Sequence, residues 1–166
     1  MKILIAADGS LFTRAAARYV ARHVGAFTSP VEVHVLHVRP PLPYPGAVAA
    51  IGRKAVDEYQ RDESLKALLA AERELDGANV PYTSSWRVGE PAHDIALFAR
   101  DGKYDLVVTG SHGLGALANL AMGSVATKLV AASSVPVLVI TREAARQKPI
   151  ESKAPAAARV PSIATP

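Results

Sequence analysis

Cysteine is absent from the 166 residues of the sequence. Without thiols, the chain has no disulfide framework, no thiol nucleophile and no thiolate ligand for a metal. No apolar run approaches the roughly 18 residues that a membrane-spanning helix needs. The opening apolar run, residues 3–7, is also shorter than the about 7–15 residues of a signal-peptide core. We therefore expect a soluble cytoplasmic protein in a reducing compartment.

Over most of its length the chain also lacks a large net charge. The formal net charge is +4, but the last 25 residues hold five basic and two acidic residues, so the preceding 141 residues carry only +1. A nucleic-acid surface on the folded body is therefore not expected. The same tail is rich in alanine and proline and has no aromatic residue. We expect residues 1–141 to form one domain and residues 142–166 to be disordered, with partner binding by the tail as the alternative.

Short apolar runs alternate with helical patterns along the domain. Strands are expected at residues 1–7, 31–38, 82–88, 106–108 and 136–140. Helices are expected at residues 10–25, 56–77, 91–102 and 124–133. Because helix-length segments connect consecutive strands, this order predicts an α/β fold with an open, parallel five-stranded sheet and helices on both faces. The proline-rich connection, residues 39–55, is either a functional loop or a plain surface excursion.

The segment Thr109–Thr127 is rich in glycine and follows the fourth expected strand. In open α/β sheets, ligands bind at the carboxyl ends of the strands. Glycine lets the backbone approach a ligand, and the free N–H groups of a helix N-terminus accept phosphate. A Walker phosphate loop is excluded, because the sequence contains no G-x-x-x-x-G-K-[ST]. Residues 113–118 fit the dinucleotide pattern G-x-G-x-x-[GA], but the acid expected about 20 residues later would fall inside the apolar fifth strand.

A third pattern uses three of the four glycines of this segment and the serine at its end. Gly110, Gly113 and Gly123-Ser124 give G-x2-G-x9-G-[ST]. Together with other segments in the same order, this pattern resembles the universal stress protein family, in its nucleotide-binding branch, over residues 1–141. The other segments are Asp8-Gly9-Ser10, Leu36-His37-Val38, Val88-Gly89-Glu90-Pro91-Ala92 and Val135-Pro136-Val137-Leu138-Val139.

The resemblance implies a Rossmann-like, adenine nucleotide alpha-hydrolase-like fold with strand order 3-2-1-4-5. It also implies that ATP binds at the carboxyl edge of the sheet with a divalent ion, Mg or Mn. Carried over by position, the binding residues are Ala7, Asp8, Val38, Gly110, Gly113, Gly123, Ser124 and Val125. Asp8 lies beside the adenosine, Val38 offers its backbone to adenine, and Gly110 lies near the ribose. The phosphates are held by Gly113, Gly123, Ser124 and the backbone of Val125.

The glycine loop departs from the family pattern at one position. Leu114 follows Gly113, where relatives often have a basic residue. The phosphates then lack an obvious cationic partner in this loop, which lowers the expected affinity. Arg14, Arg39 and Lys128 are the candidates for supplying one.

Several polar side chains also have simpler explanations. Asp8, at a strand end, is a candidate cap for the following turn. His112 is expected to face solvent, because nothing in the sequence pairs it with a nucleophile or a carboxylate. Trp86 is expected to be a surface or packing residue of the third strand. The histidines share no metal-ligand spacing, so no zinc site and no metal-ligating side chain are expected.

Three functions stay open at this point. The first is an ATP-binding regulatory module of the stress response, without catalytic residues. The second is a slow ATPase or phosphate-transfer enzyme, for which Asp8 and His112 are weak candidates. The third is a structural dimer with a vestigial site. The resemblance also points to a homodimer through the apolar last strand, Val135 to Ile140, although the tail folding over that edge is the alternative.

Overall fold

The computed structural model describes residues 1–27, 29–42, 52–114 and 122–146, and the backbone of residues 163–164. Its strands are β1 (Lys2–Ala7), β2 (Glu32–Arg39), β3 (Tyr82–Val88), β4 (Leu106–Gly110), β5 (Val137–Ile140) and β6 (Ile163–Ala164). Its helices are α1 (Leu11–His23), α2 (Arg53–Gly77), α3 (Pro91–Asp101), α4 (Ser124–Ala132) and α5 (Arg142–Ala145). Among these helices, none is both long enough and apolar enough to cross a bilayer.

All six strands run parallel, in the order β5-β4-β1-β2-β3-β6. The first five strands confirm the expected order 3-2-1-4-5. The short strand β6 was not expected, and it places Ile163 opposite Ser85 and Ala164 opposite Trp86 on β3. Residues 147–162 lie outside the described residues, so the disordered tail stays a prediction.

The central strand β1 has helices on both of its faces, which explains its unbroken apolar run. Ile3, Ile5 and Ala7 pack into the core layer beneath α1 and α2. Leu4 and Ala6 pack into the opposite layer, beneath α3 and α4. Because successive side chains of a strand point to opposite faces, each layer takes alternate residues of β1.

Side chains at the helix starts replace the backbone partners that a first turn lacks. The hydroxyl of Ser10 caps α1 and accepts a hydrogen bond from the N–H of Thr13 at 3.3 Å. The carboxylate of Glu90 caps α3 and accepts one from the N–H of His93 at 2.7 Å, while Pro91 occupies the first turn. Both helices begin shortly after a strand ends, at the carboxyl edge of the sheet.

Candidate functional site

The carboxyl ends of β1, β2 and β4 meet at one edge of the sheet. Ala7 lies beside His37 on β2, and Ile5 lies beside Val108 on β4. The chain proceeds from β1 towards β3 on one side and returns through β4 to β5 on the other. The crevice between β1 and β4 is therefore the topological switch point, which is where ligands bind in open α/β sheets.

The turn after β1 is built around Asp8. Gly9 has a φ of +83°, a conformation that L side chains rarely adopt, and it turns the chain out of the strand. Oδ1 of Asp8 accepts hydrogen bonds from the Ser10 N–H at 2.9 Å and from the Thr13 hydroxyl at 2.8 Å. The Thr13 hydroxyl oxygen in turn accepts one from the Asp8 N–H at 2.9 Å. Asp8 thus stabilises its own turn, as the simpler explanation predicted.

The second carboxylate oxygen of Asp8 has a different neighbour. A Cβ atom built on Gly113 would overlap Oδ2 of Asp8. Glycine at position 113 therefore leaves the room that this half-buried carboxylate occupies. The structure brings these two predicted site residues together across the crevice.

His37 holds the end of β1 in place. Its Nδ1–H donates to the carbonyl oxygen of Ala7 at 2.7 Å. Burial lowers the pKa of His37, and the positive charge of Arg39 lowers it further. The hydrogen bond to Ala7 and the negative charge of Asp8 raise the pKa, but the net effect is a lowered pKa. A lowered pKa keeps the ring neutral at neutral pH. The side chain of the adjacent Val38 is buried in the α3–α4 layer, which leaves its backbone as the part available to a ligand.

The loop after β4 packs tightly on α1. A Cβ atom on Gly110 would overlap the Cβ of Phe12, so glycine allows this close approach. The N–H of Ser111 donates to the carbonyl of Ile140 at 2.8 Å. His112 is only 7% exposed: its Nδ1 lies 3.0 Å from the Ser111 hydroxyl, and its ring lies 5.4 Å from that of Phe12. The prediction that His112 faces solvent was wrong, because α1 covers the loop.

The start of α4 joins the same loop. Gly123 is the N-cap residue of α4, and its N–H donates to the Ser111 carbonyl at 2.7 Å. No side chain caps this helix within the part of the chain that the structure describes. Ser124 and Val125 open the first turn and are exposed. First-turn N–H groups have no partner within their helix and carry a partial positive charge, so this end of α4 suits an anion. Residues 115–121, between the two halves of the motif, lie outside the described residues.

The cationic candidates differ in where their charges lie. Leu114 is 77% exposed and brings no charge to the loop. The Arg39 guanidinium donates to a backbone carbonyl of α2 at 3.3 Å. Lys128 lies 3.6 Å from Glu90, and both side chains are largely exposed. Arg14 is exposed in the first turn of α1.

The sequence alone did not identify Thr13 and His37 as parts of this site. Thr13 follows the capping serine by three residues, and a hydroxyl at that spacing after D-G-S was the available signal. His37 carried no local signal, since its partner Ala7 lies thirty residues earlier on a neighbouring strand. Among the described residues, no three His, Asp or Glu side chains lie close enough together to hold a metal ion by themselves.

Comparisons with known proteins agree on one family. The model of one protein family, described as "Universal stress protein family", matches residues 1–141 of this chain. Universal stress protein YxiE of Bacillus subtilis is 32% identical, over 84% of this chain and 97% of its own. The solved structure of protein MJ0577, of Methanocaldococcus jannaschii, has a TM-score of 0.70 and 25% identity, and covers 85% of this chain and 95% of its own.

A solved universal stress protein of Arabidopsis thaliana, with AMP bound, has a TM-score of 0.62. It is 20% identical and covers 86% of this chain and 92% of its own, a likeness that supports the fold alone. The family match spans the whole of the five-stranded body and all four glycine-motif positions. On that match, this chain belongs to the universal stress protein family.

Proposed function

We propose that this chain binds ATP at the carboxyl edge of its sheet and acts as a nucleotide-dependent regulatory module of the stress response. One observation carries the proposal: the turn after β1, the loop after β4 and the start of α4 converge at the switch point. Gly113 meets Asp8 there, and Gly123 donates to Ser111. The four positions of the glycine motif thus lie in segments that meet at one place, the switch point.

The phosphates are the better supported half of this proposal. The first turn of α4 offers backbone N–H groups and the hydroxyl of Ser124 to an anion. Gly113 and Gly123 keep side chains away from that approach. Since Leu114 is neutral, the helix terminus supplies most of the favourable charge. Lys128 is one side chain that can add to it, because its exposed pairing with Glu90 is of a kind that contributes about 0–1 kcal/mol.

The adenosine half depends on the family resemblance. It assigns the base to the backbone of Val38 and the adenosine to Asp8, and it includes Ala7 among the binding residues. All three residues lie at the carboxyl edge, on β1 and β2 or directly after β1. The hydrogen bond from His37 to Ala7 joins the ends of β1 and β2 at that part of the edge. A related fold with AMP bound agrees with an adenine nucleotide as the ligand class.

A divalent ion would reach this edge together with the nucleotide. Mg²⁺ usually keeps several waters and binds through substrate phosphates. Among the described residues no three His, Asp or Glu side chains lie close enough to hold the ion, so the phosphates and water would supply most of its ligands, and the ion would neutralise part of the phosphate charge. The side chains of this chain would then serve mainly to position the nucleotide.

Hydrolysis has less support than binding. Phosphoryl transfer to water needs a group that positions the water and another that stabilises the developing charge. His112 is buried against Phe12 and hydrogen-bonded to Ser111, a position that suits packing. Asp8 uses Oδ1 to hold its own turn. We therefore propose a binding module in preference to an enzyme.

Titration calorimetry with Mg-ATP tests this proposal directly. A Cβ on Gly123 would make only ordinary contacts, 3.4 Å from the nearest backbone atoms, so Gly123→Val is expected to fold and to obstruct the helix start. Gly77→Val is the matched control, because a Cβ there meets nothing within 4 Å and the topology places residue 77 at the opposite edge. We expect Gly123→Val to lose ATP binding and Gly77→Val to retain it. Equal binding by both variants would contradict the assigned site, and fast Gly123-dependent turnover would favour the enzyme.

We further propose a homodimer through the last strand. Within the described residues β5 pairs only with β4, and three of its four side chains are half-buried. An apolar edge of this kind is protected when it pairs with another chain. Val139→Lys, which places a charge on the edge, should convert a dimer into a monomer in sedimentation velocity. A wild-type monomer at micromolar concentration would contradict this assembly.

A further inference from the structure

The outer edge of β3, on the side away from β2, has no role in the proposed nucleotide site. On its inner side, all seven residues of β3 pair with β2, from Tyr82 to Val88. On its outer side, only Ser85 and Trp86 have partners among the described residues, and these are Ile163 and Ala164 of the chain's own C-terminal segment. The middle of the edge is thus covered by β6.

A groove lies beside the same part of β3. Its volume is about 550 Å³. One wall includes Trp86, which also packs partly against the core layer beneath α1 and α2. The other lining residues come from the first three turns of α2, and they are Arg53, Lys54, Asp57, Glu58 and Arg61. Trp86 belongs to both the groove and the strand edge, which places the groove beside the paired residues of β3.

We propose that this surface is a strand-addition site, and that its occupant is the C-terminal segment of the same molecule. Main-chain hydrogen bonds supply the affinity in this mode of recognition. The mixed charges lining the groove give no preference for a strongly acidic or basic partner, which fits a short segment with neutral residues such as S-I-A-T. This contact lies on β3 and is separate from the proposed nucleotide site between β1 and β4.

The connecting chain is long enough to make this contact within one molecule. The helix α5 follows β5, at the far edge of the sheet from β6. Five strand spacings of about 4.8 Å separate β5 from β6, or roughly 24 Å in a flat sheet. The sixteen residues from 147 to 162 can span up to roughly 50 Å when extended. No second molecule is therefore needed to deliver β6 to β3.

The sequence around β6 limits the added strand. Pro161 and Pro166 flank the four residues between them. Proline has no N–H, so neither residue can donate a backbone hydrogen bond to a neighbouring strand, and a short edge strand recruits no further strand. The β-branched Ile163 suits the paired position that it occupies. The two residues of β6 thus cover the middle of β3 without creating a new long edge.

Hydrogen exchange of the full-length protein tests the assignment. The double variant Ile163→Pro/Ala164→Pro removes both N–H groups of β6, whichever of them donates to β3. The matched control is Ala157→Pro/Ala158→Pro, which places the same two prolines elsewhere in the tail. We expect the double variant to raise exchange of the outward amides of β3 by about tenfold, since one or two net hydrogen bonds are lost. The control should exchange like the wild type.

The fluorescence of Trp86 gives a second measurement on the same samples. It is the only tryptophan of the chain, so its quenching by acrylamide reports on this surface alone. We expect increased quenching in the double variant and in a chain ending at Arg146, and no change in the control. Unchanged exchange and quenching in both altered chains would overturn the proposal. Protection that increases with protein concentration would assign β6 to a second copy, and would overturn the intramolecular contact.

Discussion

Asp8 and Gly113 face each other across the crevice between β1 and β4, so closely that a methyl group on Gly113 would overlap Oδ2 of the carboxylate. The carboxylate has little freedom to move aside, because its Oδ1 accepts hydrogen bonds from the Ser10 N–H and the Thr13 hydroxyl. The position of Asp8 therefore depends on a glycine that follows it by more than one hundred residues. This contact connects the glycine motif to the turn after β1.

Gly113→Ala tests that contact. The added methyl group should displace the Asp8 carboxylate, which we expect to cost about 1–3 kcal/mol of folding free energy as overpacking does elsewhere. Mg-ATP affinity should fall by at least tenfold if Asp8 contacts the nucleotide. Gly77→Ala is the control, since a Cβ on Gly77 meets nothing within 4 Å. Urea unfolding and titration calorimetry measure the two effects. Wild-type stability and affinity in Gly113→Ala would show that the carboxylate is not held as described.

Gly110 and Gly123 belong to one motif, but we expect opposite responses to alanine. A Cβ on Gly110 would overlap the Cβ of Phe12, so Gly110→Ala should destabilise the fold by about 1–3 kcal/mol. A Cβ on Gly123 has 3.4 Å to its nearest neighbours, and Gly123→Ala should change stability by less than about 0.5 kcal/mol. Urea unfolding of both variants makes the comparison. Equal losses would contradict the packing described for Phe12.

The free energy of unfolding should fall as the pH is lowered below about 6.5, partly because of His34. His34 lies 2.6 Å from the Thr83 hydroxyl and 2.8 Å from the Ser85 hydroxyl. Burial, and after it the charge of Arg87, lowers the pKa of His34 to about 4. Between that value and the ordinary pKa of about 6.5, the unfolded chain binds a proton that the folded chain does not, so acid favours unfolding. His37, whose pKa is also lowered, acts in the same direction.

His34→Gln separates this effect from general acid sensitivity. The free energy of unfolding, measured in urea between pH 7 and pH 5, should decline less steeply in His34→Gln than in the wild type. His93→Gln is the control, because His93 is exposed at the start of α3. Its pH dependence should match that of the wild type. Identical slopes for all three proteins would contradict the lowered pKa of His34.

Arg18 and Glu74 join α1 to α2 through a two-pronged ion pair. Nε and Nη2 of Arg18 donate to the two carboxylate oxygens of Glu74 at 3.0 and 2.8 Å, and both side chains are largely buried. Glu74→Ala leaves a charge without its main partner, which we expect to cost roughly 3–5 kcal/mol. The double variant Arg18→Met/Glu74→Leu should recover most of that loss, since apolar pairs replace buried ion pairs well. A double variant as unstable as Glu74→Ala would contradict this explanation.

The five-stranded fold was predictable because its signals are local. Ile3 to Ala7 of β1 form an unbroken apolar run directly before Asp8, and Pro91 opens α3 directly after the cap Glu90. The strand β6 had no such signal. Two residues in an alanine- and proline-rich tail show no periodicity, and β6 exists only through its pairing with β3. Long-range pairing of this kind is not encoded in the local pattern.

The site was predictable in its residues and less so in its contacts. The glycine spacing identified the loop, but it did not show that Gly110 is needed to accommodate Phe12. The burial of His112 was missed for the same reason, since the ring that covers it lies about one hundred residues earlier in the chain. The roles of Thr13 and His37 likewise depend on partners that only the folded chain brings near. Nucleotide binding itself stays a prediction.

The melting temperature of nucleotide-free protein, with and without Mg-ATP, tests the central claim most directly. Ligand at 100 times its Kd stabilises the native state by about 2.7 kcal/mol. For a domain of this size, that predicts a rise of roughly 5–11 °C, at about 2–4 °C per kcal/mol. We expect this rise with Mg-ATP, and no comparable rise with Mg-GTP. No shift with Mg-ATP, in protein whose absorbance shows no bound nucleotide, would contradict the claim and leave the glycine motif with a purely structural role.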